Sequence, residues 1–228
     1  MSDPILFTGL TLDQANAAAQ YHSRLGANVQ VTPDGTGLFN VEVTYSSAGT
    51  PSDGSSGIWT EEQIAWGKKV SADFKAKVIR IASGLGCDPS YLMAAMAFET
   101  GDTFSPTDQN RLSGATGLIQ FLPSTAARLN TSIQALLQMT AIEQLDYVQK
   151  YLAPYKGRMR SLSDVYMSIL FPIAVGKPDS YVLFAAPSTA YRQNAGLDVN
   201  HDGEVTKGEA ASKVQARLDE GLSAVNRG

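Results

Sequence analysis

The rhythm of apolar and polar positions changes once along the chain, at a stretch that is almost wholly polar. Before it, the apolar runs Ile5 to Leu10, Val29 to Val31 and Phe39 to Tyr45 have strand length, and the Ala-rich stretch Asp13 to Leu25 reads as a helix. Pro33-Asp34-Gly35-Thr36-Gly37 is turn chemistry, so the last two runs form a predicted hairpin and residues 1–45 a small α+β unit of β-α-β-β order. Ser46 to Gly57 holds mainly Ser, Gly, Thr, Pro and Asp and buries too little apolar surface to repay its ordering entropy. Residues 46–57 are the expected linker, and residues 58–228 a second domain.

From Ile58 onward the period is helical. Thr60 and Gln63 are spaced as a capping box, Val70, Phe74, Val78 and Ile81 share one face, and Gly84 and Gly86 are expected to stop that helix. Asp88-Pro89 then opens a helix running through Leu92, Met93, Met96 and Phe98 to Glu99. Further helices are predicted at Ser124 to Leu129, Ser132 to Leu137, Ala141 to Leu152, Ser163 to Leu170 and Gly208 to Val225, with no strand among them. The expected fold class is mainly α behind a small α+β unit.

Composition narrows the chemistry. A chain of 228 residues with 43% hydrophobic and 18% charged positions is an ordinary globular sequence, and a net charge of −4 gives no electrostatic footprint for nucleic acid. A single cysteine, Cys87, forms no internal disulfide, and with only His22 and His201 beside it no zinc site of the His/Cys kind assembles. The start Met-Ser-Asp-Pro-Ile-Leu-Phe shows no secretory signal, so synthesis in the cytoplasm is expected. The most apolar segment, Tyr166 to Val175, is broken by Pro172 and falls short of the roughly 20 residues of a membrane span.

Candidate chemistry begins at Glu99, which ends an apolar helix just before Thr100-Gly101-Asp102. Apolar neighbours such as Met96, Ala97 and Phe98 disfavour the charged form of a carboxyl and keep it protonated near neutral pH, as a glycosidase acid must be. Downstream, Gly114 and Gly117 permit close backbone approach, and the amide of Gln120 offers a donor and an acceptor to an N-acetyl sugar.

Phe98-Glu99-Thr100, a variable loop, then Ser113-Gly114-Ala115-Thr116-Gly117-Leu118-Ile119-Gln120-Phe121-Leu122-Pro123-Ser124-Thr125-Ala126 resembles the signature of soluble lytic transglycosylases and their phage relatives, themselves similar to goose-type lysozyme. The resemblance extends through Leu145 to Tyr151 and Leu162 to Met167, and spans roughly residues 58–196. It implies a lysozyme-like helical domain that cleaves the β-1,4 bond between N-acetylmuramic acid and N-acetylglucosamine in bacterial peptidoglycan, with Glu99 as acid/base. It also implies a sugar cleft lined by Thr100, Ser113, Gly117, Leu118, Ile119, Gln120 and Phe121. The family places a tyrosine beside the acid; Tyr166 matches the phage-tail variants, while Tyr191 and the Asn194-Ala195-Gly196 triplet sit separately, with Asn194 a further sugar-binding candidate.

Two reactions stay open. A hydrolase uses a second carboxylate, for which Asp102 and Asp108 are available, whereas a transglycosylase uses Glu99 alone with the substrate's acetamido group and leaves an anhydro sugar. A rival of another class is an inactive saccharide-binding virion module. The resemblance implies a virion-tail protein or an endolysin reaching the periplasm and cell wall, with the N-terminal unit docking on tail or baseplate proteins or on the wall.

Near the C-terminus, Asp198-Val199-Asn200-His201-Asp202-Gly203-Glu204-Val205-Thr206-Lys207-Gly208-Glu209 has the spacing of a 12-residue EF-hand loop. Asp198, Asn200, Asp202, Thr206 and Glu209 would offer side-chain oxygens to a calcium ion and Glu204 its carbonyl, while Val205 packs inward. Pro187 and Gly196 leave little room for an entering helix, so a single stabilising site is expected. Ala210, Val214, Leu218, Leu222 and Val225 mark the apolar face of the exiting helix.

Overall fold

The computed structural model describes residues 5–10, 12, 15, 19, 27–45 and 64–228. The chain divides into two compact units, Met1–Gly57 and Ile58–Gly228. In the first, β1 (Ile5–Leu10), β2 (Ala27–Pro33) and β3 (Phe39–Tyr45) form an antiparallel sheet in the order β1-β3-β2. The β2–β3 hairpin turns where the sequence predicts: an Asp34 carboxylate oxygen accepts from the backbone N–H of Thr36 at 2.8 Å and of Leu38 at 3.3 Å. Leu12, Ala15 and Ala19 are helical, and Ala15 and Val41 are buried. The rest of the helix expected over Asp13 to Leu25, the linker 46–57 and the capping box at Thr60 and Gln63 lie outside the described residues.

The second unit is mainly α, with eight α-helices among the described residues. Its first helix begins later than the periodicity indicates. Ile64 to Lys69 makes turns ending in a 3-10 turn at Gly67–Lys69, Val70 is extended, and α1 spans Ala72–Leu85 with the Ser71 hydroxyl accepting from Phe74 N. Gly84 lies inside α1, and Gly86 alone ends it, in the left-handed conformation that glycine adopts freely. Asp88 caps α2 (Pro89–Thr100) by accepting from Ser90 N at 2.7 Å.

Short helices α3 (Pro123–Arg128) and α4 (Ile133–Leu137) precede α5 (Ala141–Leu152), whose Thr140/Glu143 capping box is formed on both sides. Then come α6 (Leu162–Leu170), α7 (Thr189–Asn194) and α8 (Lys207–Gly221). No helix among the described residues is long and apolar enough to cross a membrane.

Two expectations need correction. Val182–Ala185 (β4) and Glu204–Thr206 (β5) pair as a two-stranded antiparallel sheet where no strand was expected. Each run is too short for its period to be read, and the pairing supplies what propensity does not. The last helix stops at Gly221, so Ala210, Val214 and Leu218 are buried but Leu222 is only half-buried and Val225 stands exposed.

Helix α2 is the hub, packed against α1, α6 and α8, with α8 also against α6 and α1 against α5. One polar tie fixes α8 to α6: buried Lys207 donates from Nζ to Asp164 Oδ1 at 2.6 Å and to the Lys177 carbonyl at 2.7 Å. The same Asp164 oxygen accepts from Gly176 N at 2.7 Å, so the buried charge is paired and hydrogen-bonded. Lys207→Met should therefore cost about 3–5 kcal/mol by stranding a buried carboxylate. The double variant Lys207→Met/Asp164→Leu should recover most of that loss in urea unfolding; equal losses in both would show that the pair is not what holds the helices.

Candidate active site

Helix α2 is apolar around its whole circumference: Leu92, Met93, Ala94, Ala95, Met96 and Ala97 are all buried, so three packed helices surround it. Glu99 is its penultimate residue and emerges half-buried. Burial alone pushes its carboxyl up from an ordinary 4.5 to about 7. The side chain makes no hydrogen bond or ion pair among the described residues.

Two tyrosines flank the acid. Burial raises the phenols of Tyr166 on α6 and Tyr151 on α5, and the negative charge of Glu99 raises both further. Tyr166 packs edge-on to Phe98, with ring centroids 5.4 Å apart and planes at 81°, which holds its ring beside the residue next to the acid. Its hydroxyl makes no hydrogen bond among the described residues, whereas Tyr151 donates to the Ser168 carbonyl at 2.9 Å. Of the tyrosines considered, Tyr166 is therefore the one with a spare hydroxyl near Glu99. Tyr191 instead donates to Asp198 at 2.7 Å in the C-terminal loop.

The turn after Glu99 is tightly made. Gly101 caps α2 with φ 56°, and Asp102 and Phe104 also take positive φ, 69° and 52°. Thr100 is buried; its hydroxyl donates to Met96 O at 2.7 Å and accepts from Phe104 N at 3.1 Å. It shapes this turn and has no free face for a sugar.

The loop 108–121 folds back on itself through bridges from Gln109 to Thr116 and Thr116 to Phe121. Gly117, at φ 77°, donates to Asp108 O, and a Cβ there would fall 2.2 Å from Gln144 Oε1, so only glycine fits. That buried Gln144 accepts from Leu118 N at 3.1 Å and donates to Pro106 O at 2.7 Å and Leu136 O at 2.9 Å. Gln120, at φ 52°, gives its side-chain N–H to the carbonyls of Asp108 and Gly117 and keeps its own carbonyl oxygen. Phe121 meets Tyr151 edge-on at 6.4 Å, which connects this loop to the ring beside Glu99.

The structure thus sorts the expected cleft residues. Leu118, Ile119 and Phe121 are 0%, 3% and 2% exposed, so their side chains are core and only their backbone can meet a ligand. Gln120 and Tyr166 keep polar groups to offer. Ser113 is exposed and accepts from Ala115 N, while Asn194 donates to Ala190 O at the end of α7 and makes no bond to the residues around Glu99. Gln144 and Tyr151 escaped the sequence reading; a buried glutamine between Ile142 and Leu145 and the Tyr147/Tyr151 spacing were the available signals.

Neither candidate second carboxylate perturbs Glu99, whose shift has burial as its single cause. Asp108 is hydrogen-bonded to the Thr103 hydroxyl. Asp102 pairs with Arg217 of α8 at 3.2 Å; burial pushes its carboxyl up against the opposing pull of that guanidinium, and Oδ1 is buried without a partner.

In the C-terminal loop, Val205 is buried as expected. Asp198 accepts from the Tyr191 hydroxyl, His201 N at 2.7 Å and Gly203 N at 3.1 Å; these bonds, led by Tyr191, hold its carboxyl below the usual carboxylate range. Asn200 and Asp202 accept from Asp202 N and Glu204 N. Glu209 accepts from Thr206 with one oxygen and from Val199 N and Asn200 N with the other. The donor set is all oxygen, which suits calcium, yet no three His, Cys, Asp or Glu side chains among the described residues gather as a metal group.

No family model matches the chain, and no curated protein matches it.

The raised carboxyl pKa carries a consequence for stability. Between 4.5 and about 7 the folded chain binds a proton at Glu99 that the unfolded chain has lost, so this residue costs stability as pH rises through that window. Glu99→Gln, which never ionises, should match wild type in melting temperature near pH 4 and exceed it near pH 8. A difference independent of pH would show that the carboxyl is not desolvated.

Proposed function

We propose that this chain cleaves bacterial peptidoglycan between N-acetylmuramic acid and N-acetylglucosamine, as a lytic transglycosylase built on a lysozyme-like domain. What supports the reading is a carboxyl set half-buried at the end of an enclosed helix, where burial raises its pKa to about 7, with, among the described residues, a spare tyrosine hydroxyl near it and no second carboxylate acting on it. The signature-like segments add the sugar chemistry.

The geometry suits a one-acid route. Neutral Glu99 donates its proton to the bridging oxygen as the C1–O bond breaks, and the 2-acetamido oxygen of the muramyl residue bonds to C1 in its place. Glu99, now a carboxylate, takes the proton from the muramyl O6 hydroxyl; O6 bonds to C1, the acetamido oxygen leaves, and a 1,6-anhydro sugar results with no water consumed. One carboxyl acts first as acid and then as base, for which a pKa near neutrality is the right compromise. Tyr166, held by Phe98, steadies the acid, and the Gln120 carbonyl oxygen is an acceptor for a sugar N–H or hydroxyl.

Turbidity of outer-membrane-permeabilised cells should fall with wild type and about 10²–10⁴-fold more slowly with Glu99→Gln. Mass spectrometry of the released muropeptides should find anhydro ends. Reducing ends, heavier by one water, would assign a hydrolytic muramidase instead, and equal rates for both proteins would overturn the glycosidase reading in favour of a saccharide-binding module.

We further propose that Asp198, Asn200, Asp202, Thr206 and Glu209, with the Glu204 carbonyl, take calcium as a structural ion. The loop leads directly into Lys207 and α8, so the ion would steady the wall behind Glu99. Calcium at about a hundred times its Kd should raise the melting temperature by about 5–10 °C over chelator-treated protein. Identical melting in both conditions would remove calcium from the account.

A further inference from the structure

The loop 108–121 also borders a cavity of about 340 Å³ that Glu99 does not line. It is open to solvent and lined by Gln109 and Gly114, by Pro123 and Ala127 of α3, and by Thr131 to Gln134 at the start of α4. The volume lies at the lower end of the ~300–1,000 Å³ of small-molecule sites.

Its lining is chemically uniform: two primary amides, two hydroxyls and an apolar floor of Pro123, Ala127 and Ile133, with no charged side chain. An uncharged wall gives a phosphate or carboxylate nothing to pair with, so anionic ligands are disfavoured. Several of the polar groups have capacity to spare. The Gln134 amide makes no hydrogen bond among the described residues. Gln109 spends one N–H on Thr116 Oγ at 3.1 Å and keeps its carbonyl, and Ser132 Oγ accepts from Ala135 N at 3.1 Å and keeps its O–H to donate. A glutamine amide matches an acetamido group donor to acceptor, and the apolar floor suits the C–H face of a pyranose ring.

We infer that this cavity is a second saccharide subsite, taking one N-acetylhexosamine of a glycan strand. The choice of an amino sugar over other neutral polar ligands rests on the proposed action at the wall. The loop that carries Gly117 and Gln120, tied to α5 where Leu118 N donates to Gln144, is the same one that presents Gln109 and Gly114 here, so one loop serves both sites.

The probe is triacetylchitotriose, titrated into nitrogen-15-labelled full-length Glu99→Gln protein, with maltotriose as control. Chitotriose should shift the side-chain amides of Gln109 and Gln134, and maltotriose should not. Gln134→Ala should raise the Kd read at Gln109 about tenfold. Ala127→Trp, a change at an exposed position that fills the cavity, should abolish the Gln109 and Gln134 shifts while those of Gly101 and Gln120 near the acid remain. Silent Gln109 and Gln134 amides at saturating chitotriose, equal shifts with maltotriose, or shifts that survive Ala127→Trp would each overturn the subsite. The outcomes separate the two readings. A protein that leaves peptidoglycan intact yet shows the chitotriose shifts keeps the subsite and loses the activity; one that cuts the wall with silent amides loses only the subsite.

Discussion

The structure depends on α2 being enclosed. A helix with leucine, methionine and alanine on every face can satisfy itself only in the centre of other helices, and α1, α6 and α8 provide that enclosure. Its capped start at Asp88 and its left-handed stop at Gly101 leave Glu99 no choice of position. The carboxyl is then desolvated because its helix is buried, and no charged neighbour is needed to raise its affinity for a proton.

The way polar groups are satisfied elsewhere gives this site its contrast. Buried Gln144 makes three hydrogen bonds, Lys207 and Asp164 are locked to each other and to backbone, and buried Thr116 bonds both Gly114 O and Gln109. Each such group would be costly to leave unpaired, and each is paired. Glu99 and the Tyr166 hydroxyl, which is near enough to feel the Glu99 charge, have no such partner among the described residues. Three of the six non-glycine residues with positive φ among the described residues, Asp102, Phe104 and Gln120, also fall in the segment after Glu99 and the loop 108–121. Positive-φ backbone and unspent hydrogen-bonding capacity thus fall together around Glu99, and that coincidence is what the proposed function rests on.

What the sequence discloses follows the range of the interaction involved. Helix ends are local: Asp88-Pro89, Thr140 with Glu143, and Ser132 before Ile133 each carry their cap within four residues, and the helices begin where those caps stand. Glu99 was legible because it ends a run so apolar that the helix carrying it has to be enclosed, and that enclosure desolvates the carboxyl. The β4–β5 pair was not, because two runs of four and three residues specify strand only once they meet, and Val182 meets Thr206 across most of the C-terminal segment. The buried side chains of Leu118, Ile119 and Phe121 were not legible for a related reason. A motif shows which residues lie near a site, whereas burial decides whether side chain or backbone faces it, and burial depends on distant partners such as Gln144 at Leu118 N and Tyr151 at Phe121.

The single acid and the C-terminal helix belong to one argument. A mechanism with one carboxyl needs that carboxyl to change protonation state twice per turnover, so its surroundings must neither pin a proton nor repel one strongly; apolar walls meet that demand and a neighbouring aspartate would not. Asp102 is close in sequence, but Arg217 of α8 draws it into an ion pair, and Asp108 accepts a hydrogen bond from the Thr103 hydroxyl. Helix α8 therefore acts twice, once as an apolar wall behind α2 and once as the source of the cation that engages Asp102. Its own placement begins at Lys207, the residue that follows β5 and anchors to Asp164 two positions before Tyr166. The acid, the tyrosine beside it and the disarmed aspartate are in this way held in register by one helix whose first residue is a buried, paired lysine.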